Sequence, residues 1–108
     1  MRNDTNLLHL IEQAKAIRAG YHRLEEQHHG TRWTVEEDAL AFLTDAALVG
    51  RLSMAQQQRW PASGSEGQLE HKLAECMWWL MVLADRMDID LPTQLQRFMD
   101  DTQRKVSR

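Results

Sequence analysis

An all-α fold, a four-helix bundle-like domain that must self-associate, is predicted by three features of the sequence. Apolar residues recur at three-and-four spacing in four separate segments. No stretch alternates with the period of two that a half-buried strand needs, and the third segment is apolar around nearly its whole girth. At 108 residues, 43% hydrophobic and 27% charged, the chain has the size of a single helical domain, 1–108, and a composition far from that of disordered segments.

The first helix is predicted to begin after Asn3 or Asp4 as cap and to run to about His29. Leu7, Leu8, Ile11, Ala14, Ile17, Tyr21 and Leu24 share one face, and Gly30 supplies the stop. A connector holding Trp33 leads to Thr34, whose hydroxyl can cap the second helix while Glu37 reaches back in a capping box. That helix carries Leu40, Leu43 and Ala47 on one stripe and Phe42, Ala46 and Val49 on another, and continues to about Gln57. The Pro-, Gly- and Ser-rich segment Trp60 to Gly67 is a loop, with Ser65 and Gln68 as a second candidate capping box. The third helix, from about Glu66 to Met87, presents Leu73, Ala74, Cys76, Met77 and the whole run Trp78 to Ala84, so it needs cover on every side. A break at Asp88 to Pro92 precedes a fourth helix bearing Leu95, Phe98, Met99 and Val106, with Arg104 and Lys105 where cations suit the helix dipole.

Three partner helices can hardly enclose the third helix and also cover the broad apolar girth of the second. Each exposed Trp forgoes burial of roughly 150–250 Å² at about 25 cal/mol per Å². A homodimer, or a dimer of dimers, with helices two and three at the contact is therefore expected.

Composition narrows the function classes. A net charge of −3, with no basic stripe, argues against nucleic acid as a partner. The longest apolar run, Leu73 to Ala84, contains Glu75 and is shorter than the roughly 20 residues of a membrane span. No signal-peptide apolar stretch opens the chain, and the single cysteine, Cys76, allows no intrachain disulfide, so a reducing cytoplasm is the expected setting.

Two carboxylates stand in surroundings that do not suit them: Asp45 within the apolar part of helix two, and Glu75 as the lone charge between Leu73 and Ala84. An ionised carboxylate in an apolar interior has to be paired, metal-bound or protonated. Lys72 and His71, three and four residues before Glu75, make an internal ion pair easy to build. The sharper alternative is a site of hard oxygen ligands where two helices offer carboxylates to a divalent cation that also holds phosphates.

At these residues the chain resembles a known family. WTVEEDALAFLTDAALVGRL followed by HKLAECMWWLMVLADRMDIDL is similar, over roughly residues 33–91, to the MazG-like all-α nucleoside triphosphate pyrophosphohydrolases, whose members read close to HELADCLWxxLxLADxxGIDL in the third helix. The resemblance implies a four-helix fold in obligate oligomers. It also implies Mg²⁺-dependent cleavage between the α and β phosphates, giving a monophosphate and pyrophosphate. It places the family's four metal-ligand positions at Asp45, Leu48, Lys72 and Glu75, of which one is apolar and one has reversed charge. Asp45 and Glu75 are thus the candidate catalytic and metal residues, with a metal-free site as the alternative. Lys72 completes the catalytic set as an ammonium expected to take the space of the cation and neutralise both acids. Trp33, stacking a base, and Arg51 or Lys72, meeting phosphates, are the candidate nucleotide-binding residues, with Trp33 equally readable as a core residue that anchors its loop.

Other clusters carry less. His22, Glu25, Glu26, His28 and His29 spread along one helix end and read as a solvated face. Gly64 to Gly67 lacks the following Lys of a phosphate loop and contains Glu66, so it reads as a linker. No Ser, His and Asp motif supports covalent catalysis, and Met77, Met81 and Met87 read as packing residues. Three functions stay open: an impaired relative that still binds nucleotides, an active Mg²⁺- or Mn²⁺-dependent enzyme with altered ligands, and a non-catalytic helical dimer.

Overall fold

The computed structural model describes residues 6–61 and 64–107. They form four helices, α1 (Leu7–His29), α2 (Val35–Gln56), α3 (Gln68–Arg86) and α4 (Leu91–Val106), with no strand among them. The all-helical, four-element reading therefore holds.

Local chemistry explains the boundaries. Asn6 caps α1 by accepting the His9 amide at 2.9 Å, while the expected caps Asn3 and Asp4 lie outside the described residues. Gly30 ends the helix in the left-handed region (φ 76°), where a residue without Cβ is unstrained, and donates to the Glu26 carbonyl. The capping box at α2 is complete: Glu37 N–H donates to Thr34 Oγ1 at 3.1 Å, and Thr34 N–H donates to Glu37 Oε1 at 2.8 Å.

The α3 box expected at Ser65 and Gln68 does not form. Gly67 (φ 78°) has no side chain to cap with, so α3 starts two residues later than Glu66, and the Gln68 amide turns back to the Gly64 carbonyl at 2.6 Å. The expected break also shortens. Asp90 caps α4, and Pro92 falls inside its first turn, where its missing N–H would have had no helical partner.

α3 is the central element. It runs antiparallel to α2, since Asp38 near the start of α2 meets Arg86 at the end of α3, and Asp45 further on meets Lys72 and Trp79. It runs opposite to α1 as well, with Lys15 beside Asp85 and the Tyr21 ring 5.9 Å from Trp78. The apolar core is small: Ala14, Trp79, Met81, Val82 and Ala84.

Much of what the sequence assigned to the interior lies in solvent. Leu8, Ile17, Tyr21 and Leu24 of α1, Leu40 and Leu43 of α2, and Leu73, Met77, Leu80 and Met87 of α3 and its end are all exposed. The chain exposes 8476 Å², on the order of 2,000 Å² more than a compact chain of 12.6 kDa. Its radius of gyration is 16.9 Å, against about 13 Å for a compact domain of this length.

Candidate functional site

Two acid-centred clusters lie along the seam where α2 meets α3. The one the sequence foresaw centres on Asp45, whose side chain is mostly buried. Its Oδ2 accepts the Trp79 indole N–H at 2.9 Å and its Oδ1 accepts Lys72 Nζ at 3.0 Å. The same ammonium donates to Glu75 Oε1 at 2.8 Å, and His71 Nε2 lies 3.7 Å from that oxygen. Hydrogen bonds to Glu75 and Asp45 hold the Lys72 pKa above its ordinary value, so the ammonium keeps its charge. Burial, then the negative charges of Asp45 and Glu75, push the neighbouring Cys76 thiol up and away from the reactive thiolate.

Leu48, the second position of the resemblance, is exposed and brings no ligand atom. The donor set therefore fits Mg²⁺ poorly: two carboxylates with an ammonium held between them, where an octahedral cation needs oxygens at about 2.1 Å and no competing positive charge. Among the described residues, no group of three or more His, Cys, Asp or Glu side chains is placed to hold a metal.

The second cluster was not foreseen. Asp38 has no exposed surface, and its two oxygens are divided between two guanidinium groups. Arg18 forks onto it, with Nη2 at 2.8 Å from Oδ1 and Nε at 3.2 Å from Oδ2, and Arg86 Nη1 reaches Oδ2 at 2.8 Å. Arg18, 4% exposed, also donates to Glu25 Oε2 at 2.9 Å, while Glu25 Oε1 accepts the Trp33 amide at 2.8 Å. Burial lowers the Arg18 pKa, but hydrogen bonds to Asp38 and Glu25 outweigh it and raise it. Burial likewise raises the Glu25 carboxyl, and the Trp33 N–H with Arg18 reverses that to a net lowering.

Glu25 is thus part of the scaffold and not of a solvated face. His22 also departs from that expectation: its Nε2 is buried without a hydrogen-bond partner, and burial, then the charges of Arg18 and Arg86, lower its pKa. A signal for Arg18 did exist in the sequence. It stands four residues after Ala14 and three before Tyr21, on the apolar stripe itself, where an unpaired guanidinium is untenable.

A cavity of about 320 Å³ joins the two clusters, lined by Arg18, Tyr21, Glu25, Trp33, Glu75 and Trp79. Trp33 and Glu75 therefore line the same cavity, Trp33 being partly exposed with its carbonyl accepting from Arg86. Arg51 is not brought to the cavity. Its guanidinium stacks 4.5 Å from the Trp60 ring centre and donates to the Trp60 carbonyl at 2.7 Å. Arg18 at the cavity and Lys72 beside Glu75 are each paired to carboxylates, so the pocket offers aromatic faces and acidic oxygens more readily than a seat for phosphates.

No protein-family profile, curated protein or solved structure gives a match to this chain. No helix among the described residues is long and apolar enough to cross a membrane.

Proposed function

We propose that the chain is a self-associating relative of the MazG-like nucleotide pyrophosphohydrolases in which hydrolysis is impaired or lost, working in the cytoplasm. One observation carries the reading: the Lys72 ammonium sits 3.0 Å from Asp45 and 2.8 Å from Glu75, the two acids that the resemblance would make metal ligands. An internal ammonium neutralises the two acids and preserves the fold. It cannot replace a metal ion at a phosphoryl group, because a single positive charge with two of its three donors held by carboxylates neither coordinates the phosphate oxygens nor lowers the pKa of an attacking water. Pyrophosphate release from a panel of standard and modified nucleoside triphosphates, with Mg²⁺ or Mn²⁺, is expected to stay at background. Turnover inhibited by chelator would overturn the reading in favour of an active enzyme with altered ligands.

Nucleotide binding without turnover is supported by the aromatic cavity, where the faces of Trp33, Tyr21 and Trp79 suit a base. Thermal shifts with non-hydrolysable nucleotides, and with the matching nucleosides, test it, because a ligand selective for the folded state raises its apparent stability. No shift with either set leaves the non-catalytic helical dimer.

Self-association is supported by the exposed stripes of α2 (Leu40, Leu43) and α3 (Leu73, Leu80), which suit a homodimer or a dimer of dimers. Sedimentation at micromolar concentration is expected to give the mass of two or four chains.

A further inference from the structure

We propose that α4 is an exchange arm whose apolar stripe seats in the groove between α1 and α3 of a second copy of this chain. The arm is a ridge without a groove. Leu91, Leu95, Phe98, Met99, Thr102 and Val106 fall within one narrow face of a 16-residue helix, yet none of its residues is buried, and Phe98 and Val106 are 61% and 76% exposed. A lone helix of that length is marginal in water, so the stripe needs a seat.

The seat is a groove without a ridge. Leu10, Ala14, Ile17, Met77, Trp78 and Met81 line an almost wholly apolar trough of about 350 Å³ along α1 and α3, and no residue of α4 enters it. At one end it shares Met81 with a smaller depression formed against Ile89, Leu91 and Pro92 at the root of the arm.

The hinge decides which copy's arm can fill the trough. Residues 87–90 are tied back to α3: Ile89 N–H donates to the Ala84 carbonyl at 2.8 Å, and Asp88 N–H to the Asp85 carbonyl at 3.2 Å. Asp88 sits in the left-handed region at φ 57°. Folding the arm onto its own trough requires breaking that short, hydrogen-bonded turn, whereas a second copy's arm enters with the turn intact. Exchange is reciprocal about a two-fold axis, so the contact closes and no filament grows. The excess exposed surface, on the order of 2,000 Å² per chain, matches the interface area of obligate homodimers.

This inference rests on the self-association proposed above and adds a contact that does not involve α2. The test uses a Cys76→Ser background in two differently tagged chains, one carrying Ile17→Cys or Met77→Cys and the other Leu95→Cys or Phe98→Cys. After mixing and mild oxidation, at least one pairing is expected to give a covalent heterodimer, and disulfide formation between two arm cysteines is expected to be slower. Two cysteines placed in one chain, trough and arm, that close into a covalent monomer overturn the exchange by showing the arm in its own trough. A wild-type chain that sediments as two or more copies but yields no mixed cross-link also overturns it, and leaves self-association standing. A wild-type monomer removes both. Circular dichroism of each cysteine chain before oxidation confirms that the helices are formed.

Discussion

The clusters around Asp38 and Asp45 stand two helical turns apart on the same face of α2, and they solve one electrostatic problem in two ways. Asp38 is sealed, and the forked guanidinium of Arg18 with the reach of Arg86 ties α1, α2 and α3 into one knot. Asp45 is met by an ammonium, a compact charge with rotatable donors, which ties only α2 to α3 and shares itself with the less buried Glu75. The difference teaches that burying a charge does not by itself mark a functional site. The more deeply buried acid ties three helices together, and the cavity between the clusters is bordered by partners of both, Arg18 and Glu25 from one and Glu75 and Trp79 from the other.

The largest effect that can break this comparison is Asp38→Ala. It takes the buried carboxylate away from two guanidinium groups, leaving Arg18 only Glu25 and Arg86 only the Trp33 carbonyl, and is expected to lower unfolding free energy by about 3–5 kcal/mol in urea titration. A loss below about 1 kcal/mol would mean that the sealed cluster is not the knot. Lys72→Met is expected to cost less, about 1–3 kcal/mol, because Asp45 keeps the Trp79 indole and Glu75 can turn to solvent. Should it cost more than Asp38→Ala, the ranking of the two clusters is reversed.

A pH titration sharpens the contrast further. His22 is lowered from its ordinary 6.5 by burial and by Arg18 and Arg86, with Arg32 acting in the same sense and Glu25 opposing. The unfolded chain therefore binds the proton more readily. Stability linked to this group is complete above about pH 6.5 and falls as pH drops through 6.5 toward the folded value. Glu25 acts in the same direction only below its ordinary 4.5. Urea midpoints measured between pH 7.5 and 5.5 are expected to fall in the wild type and to fall less in His22→Leu; equal slopes would remove His22 from the account. The smallest effect belongs to Arg51, whose partner Trp60 is exposed. Arg51→Ala is expected to cost about 0.5–1 kcal/mol and to leave any nucleotide-induced thermal shift unchanged.

The helices were legible because caps and periodicity are local. Thr34 and Glu37 announce α2, and Gly30 closes α1, whatever the tertiary structure does. The Lys72 and Glu75 pair was legible for a related reason, since the two stand three residues apart on one helix, whereas joining Asp45 of another helix to them came only from the family resemblance. Asp38 was hidden because it sits in the first turn of α2 beside Glu36 and Glu37, where acids are ordinary dipole partners and carry no sign of burial. The chain's thin core was half legible. The apolar girth of α2 and α3 pointed to surface left over, but periodicity on α1 could not distinguish side chains buried against α3, such as Ala14, from those left in solvent, such as Leu24.

The central claim is that the Lys72 ammonium holds the place of a metal ion, and calorimetric titration of Mg²⁺ and Mn²⁺ tests it most directly. The wild type is expected to give no binding heat at millimolar cation, and the Leu48→Glu, Lys72→Glu double variant, which has acids at all four positions, is expected to bind. Tight binding by the wild type that is lost in Asp45→Asn would place a cation at the site and contradict the account.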